Sequence, residues 1–165
     1  AYPNLIRDIA ADGHTLCNHS WDHDIGLGSR SIQEIRANLT RTNEAIEAAA
    51  PGARISYYRQ PGGAWTDRVV DVAEELGMSS LHWAVDPQDW ALPGADQIAA
   101  VVIRGTADGA IVLLHDGGGE RQDTVTALRE FLPVLAARHR LDALPPGTDL
   151  PRRPGVELPL NPGQA

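Results

Sequence analysis

The sequence predicts an α/β protein, and three observations predict it. Amphipathic helical stretches alternate with short β-branched or aromatic runs along most of the chain, as in successive βαβ units around a parallel sheet or a barrel. The run Ala110-Ile111-Val112-Leu113-Leu114 is apolar throughout and ends at His115-Asp116, just before Gly117, Gly118 and Gly119. Such a run reads as a buried strand that delivers a side chain to its C-terminal end, the edge where parallel folds build their sites. Third, 165 residues with 42% hydrophobic and 22% charged content suffice for a real core. No internal repeat is evident.

Leu5, Ile6, Ile9 and Ala10 recur at helical spacing before Gly13, which predicts a helix over 3–12. His14 to Asn18 is a short extended piece. The longest helical pattern runs from Ser29 to Ala50, with Ile32, Ile35, Leu39 and Ile46 on one face. Ser31 and Glu34 have capping-box spacing at its start, and Pro51-Gly52 ends it. Ile55 to Tyr58 reads as a strand. Thr66 can cap a helix to Gly77 that buries Val69, Val70, Val72, Ala73 and Leu76. Ser80 to Val85 is strand-like, and Asp96 to Arg104 is a short helix. After the 110–116 strand, 123–139 form a helix that Pro133 is expected to kink. Leu141 to Leu144 suit a last strand. From Pro145 onward the chain holds six prolines and no sustained periodicity, so 145–165 reads as a tail or linker.

A formal charge of −8 argues against nucleic acid and anionic membranes as partners and fits a neutral or cationic polymer. No apolar segment is long enough to span a bilayer. Cys17 is the single cysteine, so no internal disulfide can form.

Four clusters carry candidate chemistry. His19-Ser20-Trp21-Asp22-His23 sets two histidines four apart, which on one helical turn face the same side, as a divalent metal needs. The bland alternative is a polar loop with unconnected histidines. Arg59-Gln60-Pro61-Gly62-Gly63 ends the second strand; its proline fixes a turn and its glycines let backbone amides approach a ligand. A plain strand-to-helix turn would look the same. Asp86-Pro87-Gln88-Asp89-Trp90 offers carboxylates that could orient a histidine and an indole that could stack on a sugar, or else an acidic solvated loop. His115 is either a reactive group or the plain end of a core strand.

Their joint order is specific. His-x3-His, then Arg-x-Pro-Gly-Gly, Asp-x-x-Asp-Trp and Leu-x-His-Asp, each at a predicted strand end, resembles the metal-dependent polysaccharide deacetylase family of carbohydrate esterases. The resemblance covers 1–144. It implies a distorted (β/α)7 barrel and hydrolysis of N- or O-acetyl groups on chitin oligomers, peptidoglycan or xylan. It further implies a divalent metal, Zn2+ before Co2+ or Mn2+, and a secreted or cell-wall-associated location. Carried over by position, His19 and His23 are two of three metal ligands. Trp90 and Leu113 line the pocket for the acetyl methyl, and the backbone N–H of Gly62 helps hold the oxyanion. His115 is the general acid, Asp89 holds its ring, and Arg59 pairs with the catalytic base. His19, His23 and His115 are then expected to share one pocket.

The departure is the base itself. The family opens with a strand ending in Asp-Asp-Gly, which supplies the base and the third metal ligand, and no Asp-Asp pair occurs in this chain. The expectation is a domain lacking its first one or two β/α units, inactive by itself unless Asp22 or Asp116 substitutes. Gly62 also stands where many relatives carry tyrosine. Two alternatives remain open: a non-catalytic glycan-binding relative, and an amidase acting on a small amide.

Overall fold

The computed structural model describes residues 2–145. The proline-rich stretch beyond Pro145 lies outside the described residues. Those described form two compact units, residues 2–82 with 143–145, and residues 83–142.

In the first unit, α1 spans Pro3–Ala11, with proline at the start where its missing N–H is harmless. α2 spans Ile32–Ala49 and begins with the capping box read from the sequence: the Ser31 side chain accepts from the Glu34 backbone, and Glu34 reaches back to Ser31. The predicted helix start at Ser29 is corrected, because Leu27–Ser29 is a separate 3-10 turn and Arg30 is extended. α3 spans Asp67–Glu75, capped by Thr66 as expected. β1 (Tyr57–Tyr58) and β2 (Ser79–Ser80) pair in parallel on either side of α3 in sequence, with Tyr57 opposite Ser79 and Tyr58 opposite Ser80. Asn18 forms a further parallel bridge to Tyr58. Leu27, Ile35, Leu39, Tyr58, Trp65, Val69, Val72, Ala73 and Met78 make one buried cluster, which locks α2 and α3 onto this small sheet. The ring of Tyr58 stands edge-on to Trp65, with centroids 5.9 Å apart.

In the second unit, α4 (Ala95–Gly105) and α5 (Gln122–Ala136) pack through Ile98, Ala99, Val102, Ala127, Phe131 and Leu135. Val85 and Val112 bridge in parallel on either side of α4 in sequence. Parallel pairing separated by helices is the α/β pattern that the sequence predicts.

The strands themselves are shorter than predicted. Of 55–58 only Tyr57–Tyr58 is a strand, and of 80–85 only Ser80 belongs to one, since the chain bends at Ala84 before bridging at Val85. The 110–114 run is not a buried strand: only Leu113 is buried, and the run bonds on one side, Leu113 N–H to Val85 at 2.9 Å and Ala84 N–H to Ile111 at 2.8 Å. Val112 and Leu114 instead pack against the α4–α5 cluster, which accounts for the apolar run without a full ladder. The 141–144 strand is also absent. There Thr15 donates its hydroxyl to the Leu144 carbonyl, and the Tyr57 hydroxyl donates to the Pro145 carbonyl at 2.6 Å, so side chains replace ladder bonds. α5 runs through Pro133 to its end one turn later. Arg129, whose carbonyl the proline leaves without its N–H, lies on the exposed face where water reaches it.

Candidate active site

The expected site residues fall into two sets, one in each unit. In the first unit the His19–His23 segment is a loop rather than a helical turn. Ser20 and His23 adopt left-handed backbone, φ 65° and 55°, which no helix contains. The loop nevertheless brings the imidazoles together edge-to-face, with centroids 5.0 Å apart. His19 Nδ1 lies 2.7 Å from the Arg59 carbonyl, which can only accept, so Nδ1 carries the proton and Nε2 the lone pair of the neutral ring.

The loop is held from α2. Asn18 is fully buried; its amide donates to the Leu39 carbonyl at 2.8 Å and to Asn43 Oδ1 at 2.7 Å, while its oxygen accepts the Ser20 N–H at 2.9 Å. Asn38 accepts the Trp21 N–H at 2.8 Å and donates to Asp22 at 3.0 Å. That bond from Asn38 is the main reason the Asp22 carboxyl sits below its usual pKa. Arg41 lies 3.7 Å over the half-exposed Trp21 ring.

Arg59 follows β1 and donates its backbone N–H to Asn18 at 2.9 Å. Among the described residues no carboxylate forms an ion pair with its guanidinium, which instead lies near Cys17. Burial raises the Cys17 thiol pKa, with Arg59 opposing. Pro61–Gly63 makes a 3-10 turn in which Gly62 and Gly63 both have left-handed φ, 61° and 62°, the reason glycine suits these positions. Gly62 is exposed, and a Cβ there would press on Ile25 at 3.3 Å. Buried Gln60 ties the turn down by accepting the Tyr58 hydroxyl and donating to the Ile25 carbonyl at 3.3 Å. Burial pushes the Tyr58 phenol well above its ordinary pKa, so it stays a donor.

In the second unit Asp89 opens a 3-10 turn, Asp89–Ala91, flanked by left-handed Gln88 and Leu92. Its carboxylate is fully buried. Asp89 Oδ1 lies 2.7 Å from His115 Nδ1, while Oδ2 accepts the His115 backbone N–H at 2.9 Å and the Thr124 hydroxyl at 2.9 Å. Burial pushes the Asp89 carboxyl upward, but the bonds from the His115 ring and backbone and from Thr124, with the His115 charge, prevail and lower its pKa. An ionised carboxylate only accepts, so His115 Nδ1 is protonated and Nε2 is the nitrogen that gains a proton in the imidazolium. The His115 side chain is 26% exposed. Asp86, the other candidate for orienting a histidine, instead accepts the Gln88 N–H at 2.8 Å in its own loop. Trp90 is 55% exposed and Leu113 is buried.

Among the described residues no group of three His, Cys, Asp or Glu side chains is placed to hold a metal ion. His19 and His23 fit the imidazole share of such a site, with His19 oriented by a carbonyl as metal-bound histidines are. Sequence reading missed Asn18, Asn38, Gln60 and Thr124. The N-terminal flank of the histidine pair and the wildcard inside Arg-x-Pro are the signals that could have flagged Asn18 and Gln60.

A profile of the polysaccharide deacetylase family matches residues 1–81. A chitooligosaccharide deacetylase of Sinorhizobium fredii is 35% identical over 146 residues, covering 82% of this chain and 67% of the relative. A peptidoglycan-N-acetylglucosamine deacetylase of Bacillus cereus is 33% identical over 135 residues, 81% of this chain and 62% of the relative. Among solved structures, a family 4 carbohydrate esterase pseudoenzyme from Bacillus anthracis superposes with a TM-score of 0.75 at 31% identity, over 83% of this chain and 47% of that one. The chain thus spans about half the length of that structure. Motif order, parallel α/β pairing and these likenesses agree: the chain belongs to the polysaccharide deacetylase family.

Proposed function

We propose that this protein hydrolyses acetyl groups from a polysaccharide, with N-acetylglucosamine polymers (chitin oligomers or peptidoglycan) ahead of O-acetylated xylan. The observation that carries the reading is the His115–Asp89 pair: a partly exposed imidazole on a fully buried, ionised carboxylate, aligned through Nδ1. In the reaction the acetyl C–N bond breaks, water supplies the new C–O bond of acetate, and the leaving nitrogen needs a proton. His115 Nε2–H supplies it, and Asp89 holds the ring in line for the transfer. The Gly62 N–H serves the carbonyl oxygen as negative charge builds there. Exposed Trp90 stacks on a sugar ring, and Leu113 backs the acetyl methyl. His19 and His23 hold a divalent cation, Zn2+ before Co2+ or Mn2+, which when bound supplies Lewis-acid catalysis. The attacking water gives its proton to a carboxylate base, with which the Arg59 guanidinium would pair.

The same proposal takes 1–144 as the deacetylase domain, a distorted (β/α)7 barrel as its fold and a secreted or wall-associated site of action, where such polymers lie. The relatives' names and the parallel helix-separated bridges support it.

A second reading, a non-catalytic glycan binder, draws on one observation: the chain has no Asp-Asp pair, and the described residues supply no third metal ligand. Acetate release separates the two. The gene product is incubated with Zn2+ or Co2+ and, separately, chitooligosaccharides, peptidoglycan fragments, acetylated xylan and small amides. We expect release from the N-acetylated glycans that His115→Ala abolishes. Glycan binding without release would establish the binder, and release from small amides alone would establish an amidase.

A further inference from the structure

We propose that Thr124 is a positioning residue for His115, acting through the Asp89 carboxylate. This assignment rests on reading His115 as the general acid. Asp89 is fully buried and accepts three bonds, two of them from His115 itself: its ring Nδ1–H to Oδ1 and its backbone N–H to Oδ2. Those two both come from His115. The third, from the Thr124 hydroxyl to Oδ2 at 2.9 Å, ties it to the first turn of α5. What the Thr124 hydroxyl adds is a second, independent anchor on Oδ2, coming from α5 rather than from His115 itself, on the carboxylate that faces the imidazole.

Thr42 and Thr126, within α2 and α5, and Thr106, just after α4, donate to the carbonyl four residues back, at 3.0, 2.9 and 2.7 Å. That is the ordinary fate of a helical hydroxyl. Thr124 is 4% exposed and reaches outside its helix instead. The backbone joining His115 to α5 passes through Gly117, Gly118 and Gly119, with φ of 76° and 146° at the last two. Arg121 closes this linker by donating its Nε–H to the Gly117 carbonyl at 2.9 Å, and Leu114 packs on the α4–α5 cluster; the bridge His115–Asp89–Thr124 adds a tie at the carboxylate itself. The helix start adds its dipole, which favours a negative charge near the first turn.

Thr124→Val keeps the shape of the buried side chain and removes only the donor, and Thr124→Ser restores the donor. In the full gene product we expect Thr124→Val to lower kcat roughly 10-fold with KM within about twofold, as for loss of a group that orients a reacting one. The downfield proton resonance of the His115 Nδ1–H should shift or broaden in the valine variant, and serine should recover both the resonance and most of kcat. An unmoved resonance with unchanged kcat would overturn the proposal. So would a loss of kcat that serine does not rescue and that tracks a fall in Tm, since that marks a structural hydroxyl. Failure of the wild-type protein to release acetate would instead remove the deacetylase reading, while the resonance still decides the tether.

Discussion

Asp89 concentrates the chemistry at the scale of single residues. A buried carboxylate is tolerated only when its lone pairs are filled, and here three donors fill them. Because the folded carboxyl titrates below its unfolded value, its bonds contribute full stability above the unfolded pKa, about 4. That contribution disappears as pH falls through the lower, folded value. Asp89→Asn should therefore destabilise the protein by about 2 kcal/mol at neutral pH, the worth of charge-assisted bonds reduced to neutral ones. Denaturant unfolding at a series of pH values checks this: the gap between wild type and variant should be present at neutrality and close as pH falls below about 4. On the proposed reaction the same variant lowers kcat by about 100-fold or more with little change in KM, because a neutral amide no longer holds the His115 ring as the carboxylate does. Equal stability of the two proteins at pH 7 would show that the carboxylate is not ionised in the fold.

At the scale of elements, what was legible in the sequence was what is local. Ser31 and Glu34 announce the start of α2 because a capping box is written within four residues, and Thr66 announces α3 in the same way. Strand lengths were not legible, since Ala110–Leu114 is equally apolar whether it forms a ladder or packs against α4 and α5, and pairing partners are distant in sequence. For His19–His23 the sequence leaves a helical turn and a loop both open, and left-handed φ at Ser20 and His23 makes it a loop that still brings the two rings together. The motif order still marked the pair. Asn18, Gln60 and Thr124 stayed hidden because a buried polar side chain looks like a surface one until its partners are known. Asn18 gives the element-scale prediction. It links the histidine loop to α2 through two donated bonds and one accepted. Asn18→Ala leaves the Leu39 carbonyl and Ser20 N–H without this partner and should lower stability by about 2–3 kcal/mol. It should also weaken Co2+ binding about 10–100-fold, as loss of an orienting partner does. Chemical denaturation and a visible-absorption titration with Co2+ check the two effects, and unchanged Co2+ affinity would separate Asn18 from the histidines.

Over the whole molecule, the formal charge of −8 and pI near 5.1 interact differently with substrate and product. An acetylated glucosamine polymer is neutral, whereas each acetyl group removed exposes an amine that is cationic once protonated. On the proposed reaction, hydrolysis on an acidic protein would convert a ligand indifferent to the field into one attracted by it, and attraction between solvent-exposed charges is screened beyond about 10 Å at 0.1 M salt. Product inhibition by deacetylated oligomers should consequently be strong at low ionic strength and relax several-fold between roughly 0.02 and 0.5 M salt. KM for the neutral acetylated oligomer should stay flat over the same range. Initial rates at fixed pH, with chitosan oligomers added at each ionic strength, make the comparison. If inhibition and KM respond to salt alike, the acidity of the chain plays no part in how it releases its product, and short-range contacts such as those of Trp90 govern both.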